Sequence, residues 1–197
     1  MKLKNSLLTS ILLVIALFLG TSNIYSSSPR MILVEEGTNT GCGPCAASNP
    51  AFQNYLMEHL NEVIPVIYHS SWPSGQDPFY LNDVNMNNTR VSYYNINGVP
   101  EGVVNGTVLN NNISPSSVES KVANFRGQTS PITITIDEQR NGNTVNFTVN
   151  VTSDNDITAK KLRVVAVEFS HPYDVAPGSN GEKEFYWLAR KMFPSAA

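Results

Sequence analysis

The chain is poor in cysteine, histidine and charge. Among 197 residues there are two cysteines and three histidines, and 15% of side chains are charged. His59, His69 and His171 lack paired ligand spacing, and zinc asks for four ligands or three plus water, so metal chemistry is set aside. Each histidine reads as a surface or packing residue. Basic runs are absent apart from Lys160, Lys161 and Arg163, and the formal charge is −3, which excludes a nucleic-acid partner. Neither a G-x-S-x-G arrangement nor paired acids on one helix are found, so nothing points to hydrolysis. No segment repeats at a fixed period.

One long apolar run occurs, at Leu7–Gly20, behind Lys2 and Lys4 and ahead of small residues. That pattern predicts a cleaved signal peptide, residues 1–26. The run is short for a membrane span, and no cysteine follows it that could carry lipid. The mature protein is therefore expected outside the cytoplasm, in the periplasm, the envelope or the medium, where dithiols can be oxidised.

What is present begins with "MILVEE" (Met31–Glu36), a short apolar run that reads as a buried strand. A loop leads to a helix that opens at Pro44, where the missing N–H costs nothing; Pro50 is expected to kink it. "VIPVIY" (Val63–Tyr68) predicts a second strand, with Pro65 favouring a sheet edge or the strand start. A polar helix is expected through Leu81–Tyr94, and Asn105-Gly106 between valines signals a hairpin. Ser114-Pro115 starts a capped helix whose Val118, Val122 and Phe125 share a face. The order for residues 31–126 is β-α-β-α-β-β-α, an α/β domain.

From residue 131 to 197 the texture is β-rich, with antiparallel strands and turns at Arg140–Gly142 and Asp154–Asp156. This predicts a small, sandwich-like all-β module in which Phe185, Tyr186 and Trp187 pack together. Three or four strands make a thin sandwich. The expectation is a chain that runs on further or completes its sheet through a partner.

Both cysteines lie in "GCGPC" (Gly41–Cys45), three positions apart, between strand and helix. Unpaired N–H groups and the dipole of the helix start favour a thiolate there, so Cys42 is the expected nucleophile. Cys45, one turn in, can attack a mixed disulfide on Cys42 and release the product. A purely structural disulfide is the competing reading, although so short a loop gains little from closure.

"CGPC" in this strand-to-helix setting resembles the active site of the thioredoxin superfamily. "RVSYYNINGVP" (Arg90–Pro100) looks like that superfamily's approach to its cis-proline loop. The resemblance covers residues 31–126. It implies that Pro100 faces the dithiol, that Val99 pairs with an extended substrate chain, and that Gly43 and Pro44 line the contact. It also implies a buried acid that helps deprotonate the second cysteine, either Glu35 or Glu36. Departures are Gly41 where tryptophan is usual, and Glu101 after Pro100 where threonine is common. Trp72, in "HSSWPSG", either replaces the absent tryptophan over the cysteines or caps the core. "EEGTNTGCGPC" and "GSNGEKEFYWLARKMFP" further resemble Omp28-related envelope proteins of Bacteroidetes-type bacteria.

Two functions follow as expectations. The first is an exported thiol–disulfide oxidoreductase acting on protein thiols and disulfides, with an unidentified redox partner; that chemistry needs no cofactor and no metal. The second is a non-catalytic envelope binding or structural protein built on the same platform.

Overall fold

The computed structural model describes residues 27–195, so the expected signal peptide lies outside the described residues. The described residues divide into two compact units: residues 27–28 with 130–157 form one, and residues 29–129 with 158–195 form the other.

The larger unit is a mixed α/β structure around a six-stranded sheet. Its first strand, β1 (Ile32–Thr38), runs parallel to β2 (Val63–His69), from Ile32 opposite Val63 to Thr38 opposite His69. Both strands are apolar runs that are buried almost throughout, as expected of interior strands covered on both faces. Between them lies α1 (Gly43–Glu58). After β2 come α2 (Pro78–Asn82) and α3 (Val84–Tyr93). The expected single helix is thus two. Asp83 is extended at φ −150° and its carboxylate accepts the Met86 N–H, so it ends one helix and starts the next.

The hairpin expected at Asn105-Gly106 is present. β3 (Glu101–Val104) and β4 (Thr107–Val108) pair antiparallel, and Asn105 and Gly106 take φ values of 45° and 84°, the left-handed region that a two-residue turn demands. Helix α4 (Pro115–Val122) is capped by Ser114, whose hydroxyl accepts the Ser117 N–H.

The tail of the chain departs from the expected module. β7 (Val164–Pro172) and β8 (Glu184–Phe193) belong to the main sheet, whose order is β4-β3-β1-β2-β8-β7. β8 lies parallel to β2, with Leu188 opposite Ile67, and β7 lies antiparallel on its outer side. Pro65 is therefore in an interior strand, close to its start. β8 meets β2 at Ile67, beyond Pro65, so the missing N–H does not fall at that register position.

Burial explains why β8 sits inside. Trp187 joins the core cluster of Ile32, Val34, Phe52, Leu56, Val118 and Val122 on the α1 side. Ala189 and Met192 join Val66, Tyr68 and Met86 on the other face. Phe185 and Leu188 enclose Phe79. Burying such side chains stabilises by roughly 1.5–3 kcal/mol each, a return that a thin separate module could not match. The aromatic trio expected to pack the β module thus serves the main sheet.

What remains of that module is a hairpin. β5 (Ile132–Asn141) and β6 (Thr144–Ser153) pair in register from Ile132–Ser153 to Asn141–Thr144. Alternation separates its faces: Ile134 opposite Val151 and Ile136 opposite Val149 on one, Thr133 opposite Thr152 and Thr135 opposite Asn150 on the other.

Candidate functional site

The loop after β1 delivers the motif to the start of α1. Cys42 is the residue before the helix, extended at φ −90° and ψ 106°, and its Sγ accepts the Cys45 N–H at 3.0 Å. Pro44 occupies the first turn, as the sequence predicts. Cys42 and Cys45 form a disulfide. Both are buried, at 3% and 0% exposure, whereas Gly43 and Pro44 on the outer side of the turn are exposed.

The structure brings the Val99–Pro100 segment to this disulfide. The Val99 carbonyl oxygen lies 3.5 Å from Cys42 Sγ, and the Val99–Pro100 peptide bond is cis. Pro100 is buried and Val99 half-buried. Gly41 is explained by space: a Cβ there would lie 2.8 Å from Ser74 Cβ, so a larger residue would force its neighbours to shift. Trp72 is half-buried against the cluster of Val91, Ile96 and Val103.

The strand separates the two acids. Glu35 receives Arg90 in a two-pronged ion pair, Nε to Oε1 at 2.7 Å and Nη2 to Oε2 at 2.9 Å, and also accepts from the Tyr94 hydroxyl. Glu36 points to the opposite face. It is 1% exposed, and neither carboxyl oxygen has a hydrogen-bond partner among the described residues. Burial pushes its pKa well above the ordinary carboxylate range and nearby Glu182 adds to the effect, while the Thr38 side chain on the same face works against it. On that face Val34 packs against α1, and Thr38 Oγ1 meets Asn49 Nδ2 at 3.4 Å. Asn49 lies one turn beyond Cys45. Glu36 therefore sits between Val34 and Thr38 on the side of the sheet that α1 covers.

Glu101 is buried directly after Pro100. Its Oε2 accepts the Asn111 N–H at 2.9 Å, and burial raises its pKa.

Several residues that hold the motif carry no sequence signal for that role. Asn39 donates to the Ser70 and Ser74 carbonyls at 2.8 and 3.0 Å, while its Oδ1 accepts the N–H groups of Gly41 and Ser74. Asp77 accepts the Thr40 N–H and His69 Nδ1, each at 2.7 Å. Burial works to raise the Asp77 pKa, but the hydrogen bonds from His69 and Thr40 outweigh it and hold it below the usual value. Asp77 also caps α2, accepting the Phe79 and Tyr80 N–H groups. That cap was legible in the Asp-Pro pair; its second duty was not.

The tail then straps the motif from outside. Asn180 N–H donates to the Thr40 carbonyl at 3.1 Å. Its Nδ2 reaches the carbonyls of Asn39 at 3.3 Å and Cys42 at 3.2 Å. Glu182 accepts from Asn180 Nδ2 at 2.6 Å and from Asn49 Nδ2 at 2.7 Å. Among the described residues, no group of three or more histidine, cysteine or acidic side chains could hold a metal ion. No described helix is long and apolar enough to cross a membrane.

Neither a family model nor a curated protein sequence matches the chain. Two solved structures resemble it. HBP35 of Porphyromonas gingivalis superimposes with a TM-score of 0.67 at 16% identity, over 87% of this chain and 59% of its own length. A structural-genomics protein of Agrobacterium tumefaciens gives a TM-score of 0.49 at 12% identity, over 85% of this chain and 72% of its own. The first likeness shows a shared fold. This chain spans about 59% of that protein.

Proposed function

We propose that the chain is an exported thiol–disulfide oxidoreductase with a thioredoxin-like domain, acting on protein thiols and disulfides. The observation that carries this reading is the Cys42–Cys45 disulfide at the start of α1, with the Val99 carbonyl 3.5 Å from Cys42 Sγ. A structural clip has no need of such a neighbour, whereas a substrate chain laid beside Val99 would bring its own sulfur to Cys42.

In the reducing direction the Cys42 thiolate attacks a substrate disulfide. A mixed disulfide forms and one substrate sulfur leaves as thiolate. Cys45 then attacks Cys42 Sγ, restores the internal disulfide, and releases the second substrate thiolate. Cys45 must lose a proton in this step and regain one in the reverse step. Glu36, buried on the α1 side of β1, is the group we assign to hold it. Gly43, Pro44, Val99 and Pro100 form the surface that meets substrate.

The expected periplasmic or envelope location is supported by the signal-peptide pattern of residues 1–26. A second reading, a binding or structural envelope protein, is favoured by the hairpin, where Ile134 and Ile136 are 53% and 59% exposed on one apolar face.

The deciding experiment equilibrates the full chain with glutathione buffers and measures the reduction potential of the Cys42–Cys45 pair. A potential between roughly −120 and −270 mV supports exchange with protein substrates; one below about −300 mV marks a structural disulfide and rejects the enzyme.

A further inference from the structure

Cys45 is fully buried, so its proton cannot come directly from water. Glu36, the acid assigned above to exchange that proton, is itself sealed in at 1% exposure and needs a route to solvent. The strap provides a second carboxyl on the same side. Glu182 is half-buried: it bonds inward to Asn49 of α1 and sideways to Asn180, which in turn holds the Cys42 carbonyl. On its outer side it lines a groove of about 600 Å³ with Ala46, Pro50, Asn180 and Lys183. Ala46 directly follows Cys45. Glu182 thus borders both the interior beneath the dithiol and the solvent beside it.

The interior here is polar and incompletely paired. Both Glu36 oxygens, Asn49 Oδ1, Thr40 Oγ1 and His69 Nε2 are buried without a protein partner. Buried polar groups of this kind are ordinarily met by ordered water, which also conducts protons between carboxyls. The titratable groups around the two acids are Glu36 on β1, His69 on β2, Asp77 ahead of α2 and Glu182 itself, with Lys183 and Glu184 beside Glu182 along the groove. Burial, with help from Asp77, raises the Glu182 pKa and outweighs the hydrogen bonds from Asn49 and Asn180 and the influence of His69, all of which favour its anion.

We propose that Glu182 is the solvent-side member of a two-carboxyl relay with Glu36, passing protons between the groove and Cys45. The inference rests on the oxidoreductase reading for its purpose, though not for its chemistry. When a dithiol reduces the protein, its first thiolate attacks Cys42 Sγ. The Sγ–Sγ bond breaks, its electron pair goes to Cys45 Sγ, and Cys45 takes the proton from Glu36. The second reductant thiol loses its proton to solvent, attacks the mixed disulfide at the reductant's sulfur, and frees Cys42 as thiolate. Two electrons have entered the protein and the reductant has become a disulfide. Glu36 recovers its proton from Glu182, and Glu182 from water in the groove. Glu182 touches no reacting atom; it acts through Glu36.

The test is the rate at which dithiothreitol reduces the full chain, followed by rapid quench, thiol alkylation and mass spectrometry from about pH 5 to pH 9. Variants are Glu36→Gln, Glu182→Gln, Glu182→Asp and the Glu36→Gln/Glu182→Gln double. Glu36→Gln is expected to slow reduction about a hundredfold and Glu182→Gln about tenfold. The double variant should be no slower than Glu36→Gln, because both changes interrupt one path. Glu182→Asp, which keeps a carboxyl, should recover most of the rate with a displaced pH profile. A Glu182→Gln rate within twofold of the parent overturns the relay, as does an additive double variant, which would make Glu182 a purely structural support. If Glu182→Gln fails to fold, Glu182→Asp decides: an unchanged rate and pH profile overturn the proposal. Reduction of insulin's interchain disulfides is measured alongside. Failure there with the dithiothreitol pattern intact would reject the oxidoreductase function and leave the relay standing.

Discussion

Asn180 Nδ2 donates to the carbonyl oxygen of Cys42 at 3.2 Å, across 138 residues of sequence. A residue far along the chain thereby fixes the backbone at the disulfide turn. Next to this bond, Gly178 lies so close to Thr40 that a Cβ would fall 2.2 Å from the Thr40 carbonyl oxygen. The strap is seated by a missing side chain as much as by hydrogen bonds.

Gly178→Ala should therefore unseat the strap, because the obstacle is backbone that cannot rotate away. The expected loss is about 3 kcal/mol of stability. Gly43→Ala is the control: nothing lies within 4 Å of a Cβ there, and the change should stay within about 0.5 kcal/mol. Urea unfolding of both oxidised variants checks the contrast.

Cys45→Ser leaves Cys42 able to attack but nothing to resolve the product. Incubated with a disulfide-bearing protein, this variant should accumulate a mixed disulfide at Cys42, while Cys42→Ser should accumulate none. Non-reducing electrophoresis with mass spectrometry reads the result; equal trapping by both variants would contradict the assigned order of attack.

Glu36 makes stability depend on pH in a definite direction. Its folded-state pKa is raised above 4.5, so the native state holds its proton more tightly than the unfolded chain does. The associated stability is complete below the unfolded pKa and is lost as pH rises from there through the folded value. Within that window the parent should lose up to about 1.4 kcal/mol per pH unit relative to Glu36→Gln. Denaturant unfolding of the two proteins at stepped pH tests this. A difference that stays flat from pH 4 to pH 8 would show that Glu36 is solvated or paired.

Glu35 has the opposite character, being buried but matched by Arg90. Replacing it by glutamine strands the Arg90 charge and should cost about 3 kcal/mol. Lysine in place of Arg90 should not rescue the protein, since an ammonium cannot make both prongs of the pair. The reduction potential should be unchanged in either variant, because this pair lies on the face of β1 away from α1.

Local chemistry made much of the protein readable. Apolar runs located β1 and β2, Asn105-Gly106 located a turn, and Ser114-Pro115 located a helix start, because each signal acts within a few residues. The spacing of Cys42 and Cys45 with Pro44 likewise placed a dithiol at a helix N-terminus. Alternation also required Glu35 and Glu36 to face opposite ways, but it could not say which face held an arginine.

The sequence by itself determined where strands, turns and the dithiol lie, since backbone preference, turn geometry and helix capping are decided by near neighbours. Tertiary structure alone decided that β7 and β8 leave the expected β module, that Asn180 clasps the cysteine turn, and that Glu36 is the unpartnered acid. The reason is physical: a strand's composition records that it wants burial and pairing, while the sheet that supplies them is chosen by which apolar surfaces, far apart in sequence, can be closed together.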